Sequence, residues 1–236
     1  MTKTHSPMRT LLRWDLLGFA FCVVLFLVFP QLDLAVAANY YDGSGFTYAD
    51  NRFVRFIYVL FAKIHVAFLL LFIVAIVFCS RKHWLEARRK WVFLLICLVL
   101  GPGLLINVII KDNSLGRPRP EHVQQFGGEA TFTPAFFYSG ACAKNCSFVS
   151  GHAAMGFYLM AVAWVRQRRI WLMYGLILGA LVGFVRILQG GHFLSDVIFA
   201  GWFTYFCYLG IARVMGMSLP PGTSTEAADG DEERQK

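Results

Sequence analysis

Residues 56–79 read FIYVLFAKIHVAFLLLFIVAIVFC, and apart from Tyr58, Lys63 and His65 the run is apolar throughout. A helix needs about 20 such residues to cross the hydrocarbon core of a bilayer. Five further stretches come near that length: Leu16–Ala38, Trp91–Ile110, Ala153–Val165, Ile170–Ile187 and Phe193–Val214. The run Ala153–Val165 is the short one, and its start is expected at about Ser150. Composition agrees with this reading. The 236-residue chain is 57% hydrophobic and 15% charged, whereas a soluble domain carries roughly one quarter charged residues on its water-facing surface. The expected fold class is therefore all-α, a polytopic membrane protein with six transmembrane helices. Disordered, collagen-like and small secreted classes are excluded. So is a soluble nucleic-acid binder, because a net charge of +8 on a membrane protein reflects cytoplasmic loops rather than DNA.

Charge placement sets the expected orientation. With the N-terminus cytoplasmic, the inner segments hold Lys3, Arg9 and Arg13, then Arg81, Lys82, Arg88, Arg89 and Lys90, then Arg166, Arg168 and Arg169, and finally Arg213, Arg234 and Lys236. These are most of the 22 basic residues, as the positive-inside rule requires, and both termini are then cytoplasmic. Pro30 and Asp33 predict a kink or an end in the first run. Arg9, Arg13 and Ala35-Val36-Ala37 imitate a secretory signal with its cleavage site. The length of the apolar run and Asp33 favour a retained span, and the next segment starts outside in either case. Residues 1–217 are expected to form one six-helix domain. Residues 218–236, with Pro220, Pro221 and the acids Glu226, Asp229, Asp231, Glu232 and Glu233, read as a disordered acidic cytoplasmic tail.

The longest polar segment, Lys111 to Val149, falls on the outer side, and loops of this length are usually functional. Its aromatic residues Phe132, Phe136, Phe137 and Tyr138 fit either an interfacial belt or the wall of an amphipathic-substrate site. Cys22, Cys79, Cys97 and Cys207 lie in apolar spans as small hydrophobes. Cys142 and Cys146 share the outer loop, and on an oxidising face they are expected to form a disulfide. No second close pair of ligands stands beside them to make a zinc site.

Three polar clusters fall at the same outer membrane face in this topology. They are Lys111-Asp-Asn-Ser-Leu-Gly-Arg117-Pro-Arg119-Pro, Ser147-Phe-Val-Ser150-Gly151-His152, and Arg186-Ile-Leu-Gln-Gly-Gly-His192-Phe-Leu-Ser-Asp196. Ionisable residues at membrane depth are costly and default to function. Lys111, Arg117, Arg119 and Arg186 pool cations that match the oxygens of a phosphate. Ser150-Gly151 at a helix start offers backbone N–H groups and the positive end of the dipole. His192 and Asp196, four apart, are expected on one helix face, where the acid orients the imidazole for attack on phosphorus. His152 is then placed to protonate the leaving oxygen. Taken singly, each has a plainer explanation: arginines that neutralise headgroups, or a histidine that bonds two helices. Two His and an Asp also suggest a metal, but four cations beside them argue against a divalent ion. In the second run, Lys63 reads as snorkelling to the interface and His65 as a packed histidine. Asn107, one turn before Lys111, reads as a support for its ammonium.

The three clusters resemble the signature of the type 2 phosphatidic acid phosphatase superfamily, which includes bacterial membrane lipid phosphatases and soluble vanadium haloperoxidases. That pattern reads Lys-x6-Arg-Pro, Pro-Ser-Gly-His and Ser-Arg-x5-His-x3-Asp. The resemblance implies a six-helix fold with no metal or other cofactor and a phosphohistidine intermediate on His192. It further implies Asp196 as the orienting acid, His152 as general acid, and Lys111, an arginine of the first motif, Ser150, Gly151 and Arg186 as phosphate ligands. Val149 stands where the pattern has Pro, and Val185 where it has Ser. Arg117-Pro118 sits one residue too near Lys111 and Arg119-Pro120 one too far, and Arg119 is favoured with Arg117 assisting. Within the superfamily, Phe126-Gly-Gly, Phe132-Thr-Pro and Asn145-Cys-Ser-Phe-Val-Ser-Gly-His look most like bacterial lipid A phosphatases.

The sequence thus reads as a lipid phosphatase of a bacterial inner membrane with its site facing the periplasm. Lipid A is the favoured substrate; undecaprenyl diphosphate, phosphatidylglycerol phosphate and phosphatidic acid stay open. Phosphotransfer to another lipid would use the same site, and an anion transporter would need neither the paired histidines nor the acid. No nucleic-acid partner is expected, and the oligomeric state is not legible.

Overall fold

The computed structural model describes residues 14–80, 84–111 and 115–218. The expected tail beyond Ser218, the residues Asp112, Asn113 and Ser114, and the basic residues Lys3, Arg9, Arg13, Arg81, Lys82, Arg234 and Lys236 lie outside the described residues. Among the described residues no strand forms; there are helices and two isolated bridges, Tyr41–Phe46 and Val123–Ala130.

The first apolar run is two helices, α1 (Trp14–Val28) and α2 (Gln31–Ala38), bent by 82° at the intervening break. Pro30 has no N–H to continue the ladder, so the chain turns where the sequence predicts it. Helix α3 (Arg52–Phe78) starts at Asn51, whose Oδ1 accepts from the N–H groups of Phe53 at 2.9 Å and Val54 at 3.3 Å. Only 11% of its most apolar window is buried in protein. A helix this apolar and this uncovered needs lipid around it.

Helix α4 (Leu85–Leu98) runs on without a break into a π-helix, Val99–Lys111. Pro102 lies at the change of register, where its missing donor and its ring disrupt i→i−4 bonding. The Pro102 carbonyl accepts instead from Asn107 Nδ2 at 2.6 Å. This wider helix carries Lys111 at its C-terminal end, where the dipole favours a cation.

The fourth apolar run departs from expectation. It folds as α5 (Gly151–Phe157), a 3-10 turn (Tyr158–Ala161) and α6 (Val162–Arg166), about 26 Å of rise at most. The segment is enclosed by protein: Ala153, Ala154, Ala161 and Ala163 are fully buried. Helix α7 (Ile170–Leu188) comes close enough to enclose it because Gly175, Gly179 and Gly183 fall on one face, four apart. A Cβ on Gly156 would lie 2.7 Å from the Gly179 Cα, and one on Gly175 would lie 2.5 Å from the Met160 backbone nitrogen. Helix α8 (Leu194–Val214) is central, touching α1, α2, α4, the π-helix, α5 and α7. Among the described residues four helices are long and apolar enough to cross a membrane: α3, α4 with its π-helix, α7 and α8. The α1–α2 pair makes a fifth if it is one span.

Candidate active site

The three clusters meet where the π-helix ends, α5 begins, α7 ends and α8 begins. Helix α8 starts just after His192, with Asp196 in its first turn; Asp196 Oδ2 accepts from the backbone N–H of Phe193 at 2.7 Å. His192 therefore precedes the helix, and the cap, not a shared helix face, brings it to Asp196. His192 Nδ1 lies 2.7 Å from the Ser147 carbonyl and 3.6 Å from Asp196 Oδ2. A carbonyl only accepts, so Nδ1 carries the proton and Nε2 keeps its lone pair. Ser147 also donates its hydroxyl to Asp196 Oδ2. Asp196 thus reaches His192 partly through Ser147. Burial, above all, pushes the His192 pKa down to about 3; Asp196 opposes this, while Arg186 and Lys111 push it further down.

The two arginines of the first cluster part company. Arg117 is fully enclosed and points behind His192: Nη1 donates to Asp196 Oδ1 at 2.6 Å and to Ser195 Oγ at 2.9 Å. Its Nη2 donates to Asp33 Oδ2 at 2.8 Å and its Nε to the Thr133 carbonyl at 2.8 Å. The rings of Phe193 and Phe132 lie 4.4 and 5.5 Å from its guanidinium carbon. Burial opposes the charge, but Asp196 and Asp33 more than offset it and hold the guanidinium protonated. The expectation that Arg117 assists at phosphate thus meets a guanidinium engaged by carboxylates. Arg119 remains at the partly exposed rim, donating from Nε and Nη2 to the Asn145 carbonyl at 3.2 and 3.0 Å.

Arg186 is buried at the end of α7 with its guanidinium carbon 4.7 Å from the Tyr58 ring. Its Nη1 donates to the Gln189 side-chain oxygen. Gly191 makes room for it: a Cβ there would lie 2.1 Å from Arg186 Nη2. His152 follows Ser150 and Gly151 at the start of α5, where Ser150 Oγ caps the Ala153 N–H at 3.3 Å. The other face of this corner is Tyr58, stacked on His152 with ring centroids 4.6 Å apart. Three buried nitrogens, His192 Nε2, His152 Nε2 and Arg186 Nε, have no hydrogen-bond partner among the described residues. Arg186 is close enough to act electrostatically on both histidines.

A cavity of about 670 Å³ opens beside His152 and Lys111. Lys111, Asn107, Asn145, Gly151 and His152 supply its polar lining, and Phe61, Leu69, Leu98 and Met155 are among its apolar walls. Its size and mixed lining are those of a site for a small molecule or part of a lipid. His65, expected to be packed, is exposed and lines the same cavity, while Lys63 is exposed as a snorkelling lysine would be. Asn107 braces Gly151 and the Pro102 carbonyl: a Cβ on Gly151 would lie 2.3 Å from its Oδ1.

Sequence reasoning passed over Tyr58 and assigned no role to Ser147 or Ser195. It used Asp33 only as a break in a span, although an acid inside an apolar run was itself a signal. Among the described residues no group of three or more His, Cys, Asp or Glu is placed to hold a metal ion. In the loop before α5, Cys142 and Cys146 bring their sulfurs together, with Cα atoms 5.6 Å apart.

Comparison with known proteins bears on what this corner does. A family model described as the PAP2 superfamily matches residues 90–219. The chain is 38% identical over 208 residues to the lipid A 4'-phosphatase of Francisella tularensis subsp. novicida, covering 80% of this chain and 90% of that protein. It is 32% identical over 185 residues to the lipid A 4'-phosphatase of Rhizobium leguminosarum, covering 75% and 78%. A lipid A 1-phosphatase of Rhizobium etli matches over a shorter stretch, 34% identical across 128 residues, or 49% of this chain and 48% of that protein. No solved structure matches.

Proposed function

The chain belongs to the PAP2 superfamily, and from that premise we propose that it is an integral-membrane lipid phosphatase acting on a phosphate monoester of lipid A. The phosphate is held by Lys111, Arg119 and Arg186 and by the start of α5: the Ser150 N–H is given to the Asp196 carbonyl at 3.1 Å, so Ser150 serves through its hydroxyl and Gly151 through its backbone N–H. His192 Nε2 attacks phosphorus; an N–P bond forms as the bond from phosphorus to the lipid oxygen breaks. His152 Nε2 gives its proton to that oxygen. A water then returns a proton to His152 and its oxygen to phosphorus, which releases inorganic phosphate and restores His192. Asp196, with the Ser147 carbonyl, stabilises the positive charge on the phosphorylated imidazole.

The observation that carries this reading is the set of three buried nitrogens, on His192, His152 and Arg186, without a hydrogen-bond partner among the described residues. A nucleophile, a proton carrier and an anion ligand are all left unsatisfied in one corner, and a phosphoryl group satisfies all three. The cavity between α3, the π-helix and α5 suits the acylated body of the lipid, which then reaches the site sideways from the bilayer. Lipid A 4'-phosphatases among the relatives favour that substrate. In this reading the α1–α2 pair and the α5–α6 segment complete six spans, both termini are cytoplasmic, and the site faces the periplasm of the inner membrane. A Cys142–Cys146 disulfide fits that oxidising side.

The test is release of inorganic phosphate by purified protein from lipid A and from the other candidate lipids, with and without EDTA. Lipid A is the expected substrate and EDTA is expected to have no effect. His192→Ala should reduce release to background while the protein remains folded. Wild-type turnover in that variant would sink the mechanism, and release from phosphatidic acid but not lipid A would sink the substrate.

A further inference from the structure

Asp33 lies outside residues 90–219, the part that matches the superfamily, yet its carboxylate reaches the charge behind the nucleophile. We propose that Asp33 is a positioning residue for phosphoryl transfer: through Arg117 it sets the net charge that His192 faces. The proposal rests on His192 being the nucleophile.

Asp33 is carried inward by the bend at Pro30, and it is 1% exposed. Its Oδ2 accepts from Arg117 Nη2 at 2.8 Å and from Ser195 Oγ at 2.6 Å, and its Oδ1 from the Ser195 N–H at 2.8 Å. Every partner is a donor, so the group is set up as a carboxylate. Ser195 Oγ in turn accepts from Arg117 Nη1, which fixes the direction of each bond around the ring. Arg117 then meets Asp196, whose second oxygen faces His192 directly and through Ser147. The order is carboxylate, guanidinium, carboxylate, imidazole.

The charge count gives this order a consequence. When the Nε2–P bond forms, Nδ1 keeps its proton and the imidazole becomes positive. Asp196 is the anion beside it, but Arg117 alone would cancel that charge at 2.6 Å. Asp33 offsets Arg117, so the three buried groups sum to one negative charge against His192. Burying three charges is not a general route to stability, since apolar replacements of such triads are often neutral or better. Supporting the developing imidazolium gives the arrangement a use.

The experiment compares Asp33→Asn, which removes the charge at constant shape, with Asp33→Glu, which keeps it. In Asp33→Asn, kcat on the lipid substrate should fall about 10- to 100-fold, the range that outer partners of active-site ligands command. KM should stay within about twofold, since phosphate contacts are untouched. Single-turnover phosphorylation of His192 should slow by the same factor as kcat, and Asp33→Glu should recover most of the loss. A folded Asp33→Asn with wild-type kcat overturns the proposal, as does a loss that Asp33→Glu does not relieve. If Asp33→Asn does not fold, the double variant Asp33→Asn/Arg117→Met restores one net negative charge and should retain kcat within about tenfold of wild type; a folded, inactive double variant overturns the proposal. His192→Ala separates the two readings. Should His192→Ala be inactive while Asp33→Asn is unaffected, only the role of Asp33 fails; should His192→Ala turn over normally, the reaction itself fails.

Discussion

Arg117 and Arg119, two residues apart, are expected to fail in opposite ways when each is replaced by Met. Arg117→Met removes four hydrogen bonds and leaves Asp33 and Asp196, both at most 1% exposed, without their shared cation. Breaking a buried pair by removing one partner costs about 3–5 kcal/mol. The lower end applies, because Asp196 keeps the Phe193 N–H and the Ser147 hydroxyl, and Asp33 keeps both donors of Ser195. For a chain of this size that corresponds to a midpoint lower by about 10 °C. Arg119→Met loses two bonds to the Asn145 carbonyl and a 3.6 Å contact with Glu121 at a partly exposed rim. Such a loss is worth about 1 kcal/mol or less, so the melting midpoint should hold within about 3 °C. Its phosphate release should fall about 10²- to 10³-fold, the usual effect of deleting a preorganised donor to a developing anion. Thermal unfolding in detergent and phosphate release, measured on both variants, check the pair. An Arg117→Met protein that melts like wild type and shows only a raised KM would refute the division, and so would an Arg119→Met protein that loses both stability and activity.

Two further outcomes follow from the packing and from the tautomer. Gly156→Val should destabilise the protein by about 1–3 kcal/mol, the usual range for overpacking. Its Cβ would meet the Gly179 backbone at 2.7 Å, and backbone cannot move aside as a side-chain end can; an unchanged melting midpoint would refute the close α5–α7 approach. In the ligand-free protein, nitrogen NMR of labelled histidine should find His192 neutral with its proton on Nδ1 at pH 5, because burial pushes its pKa down to about 3. An ordinary imidazole, near 6.5, would be charged there. The sign follows for stability: the unfolded chain takes up this proton below about 6.5 and the folded chain resists it. This group's contribution is therefore complete above that pH and lost as pH falls toward about 3. A charged His192 at pH 5 would refute the assignment.

What sequence could reveal about the fold was set by the solvent. Helices α3, α4 with its π-helix, α7 and α8 were legible because lipid demands one long apolar run for each. The α5–α6 segment is apolar too, yet it is short and broken. Sequence records that Ala153, Ala161 and Ala163 avoid water but not that their neighbours are other helices. The glycines that decide this, Gly156 against Gly179 and Gly175 against Met160, are distant in the chain, and nothing local pairs them. The same limit separates His192 from the expected helix face. A spacing of four suggests one turn, but α8 begins after His192, and only the Phe193 cap shows how Asp196 reaches it.

At the site, residue types were legible and burial was not. Lys111, Arg117, Arg119 and Arg186 form a pool of cations in the sequence, and spacing from Lys111 misses the expected pattern by one residue for either arginine of the first cluster. Pairing separates them. A guanidinium that donates to two carboxylates, a hydroxyl and a carbonyl is already engaged by protein, so the proposed mechanism leaves Arg117 out of the pool. The acid that removes it, Asp33, comes from a helix pair at the far end of the chain, where sequence shows only an interruption. A charge inside a span has to be matched somewhere, and one acid at Asp33 and one at Asp196 against one base at Arg117 leave a single negative charge unmatched. His192 is the group beside that charge, and in the proposed mechanism it is the group that becomes positive.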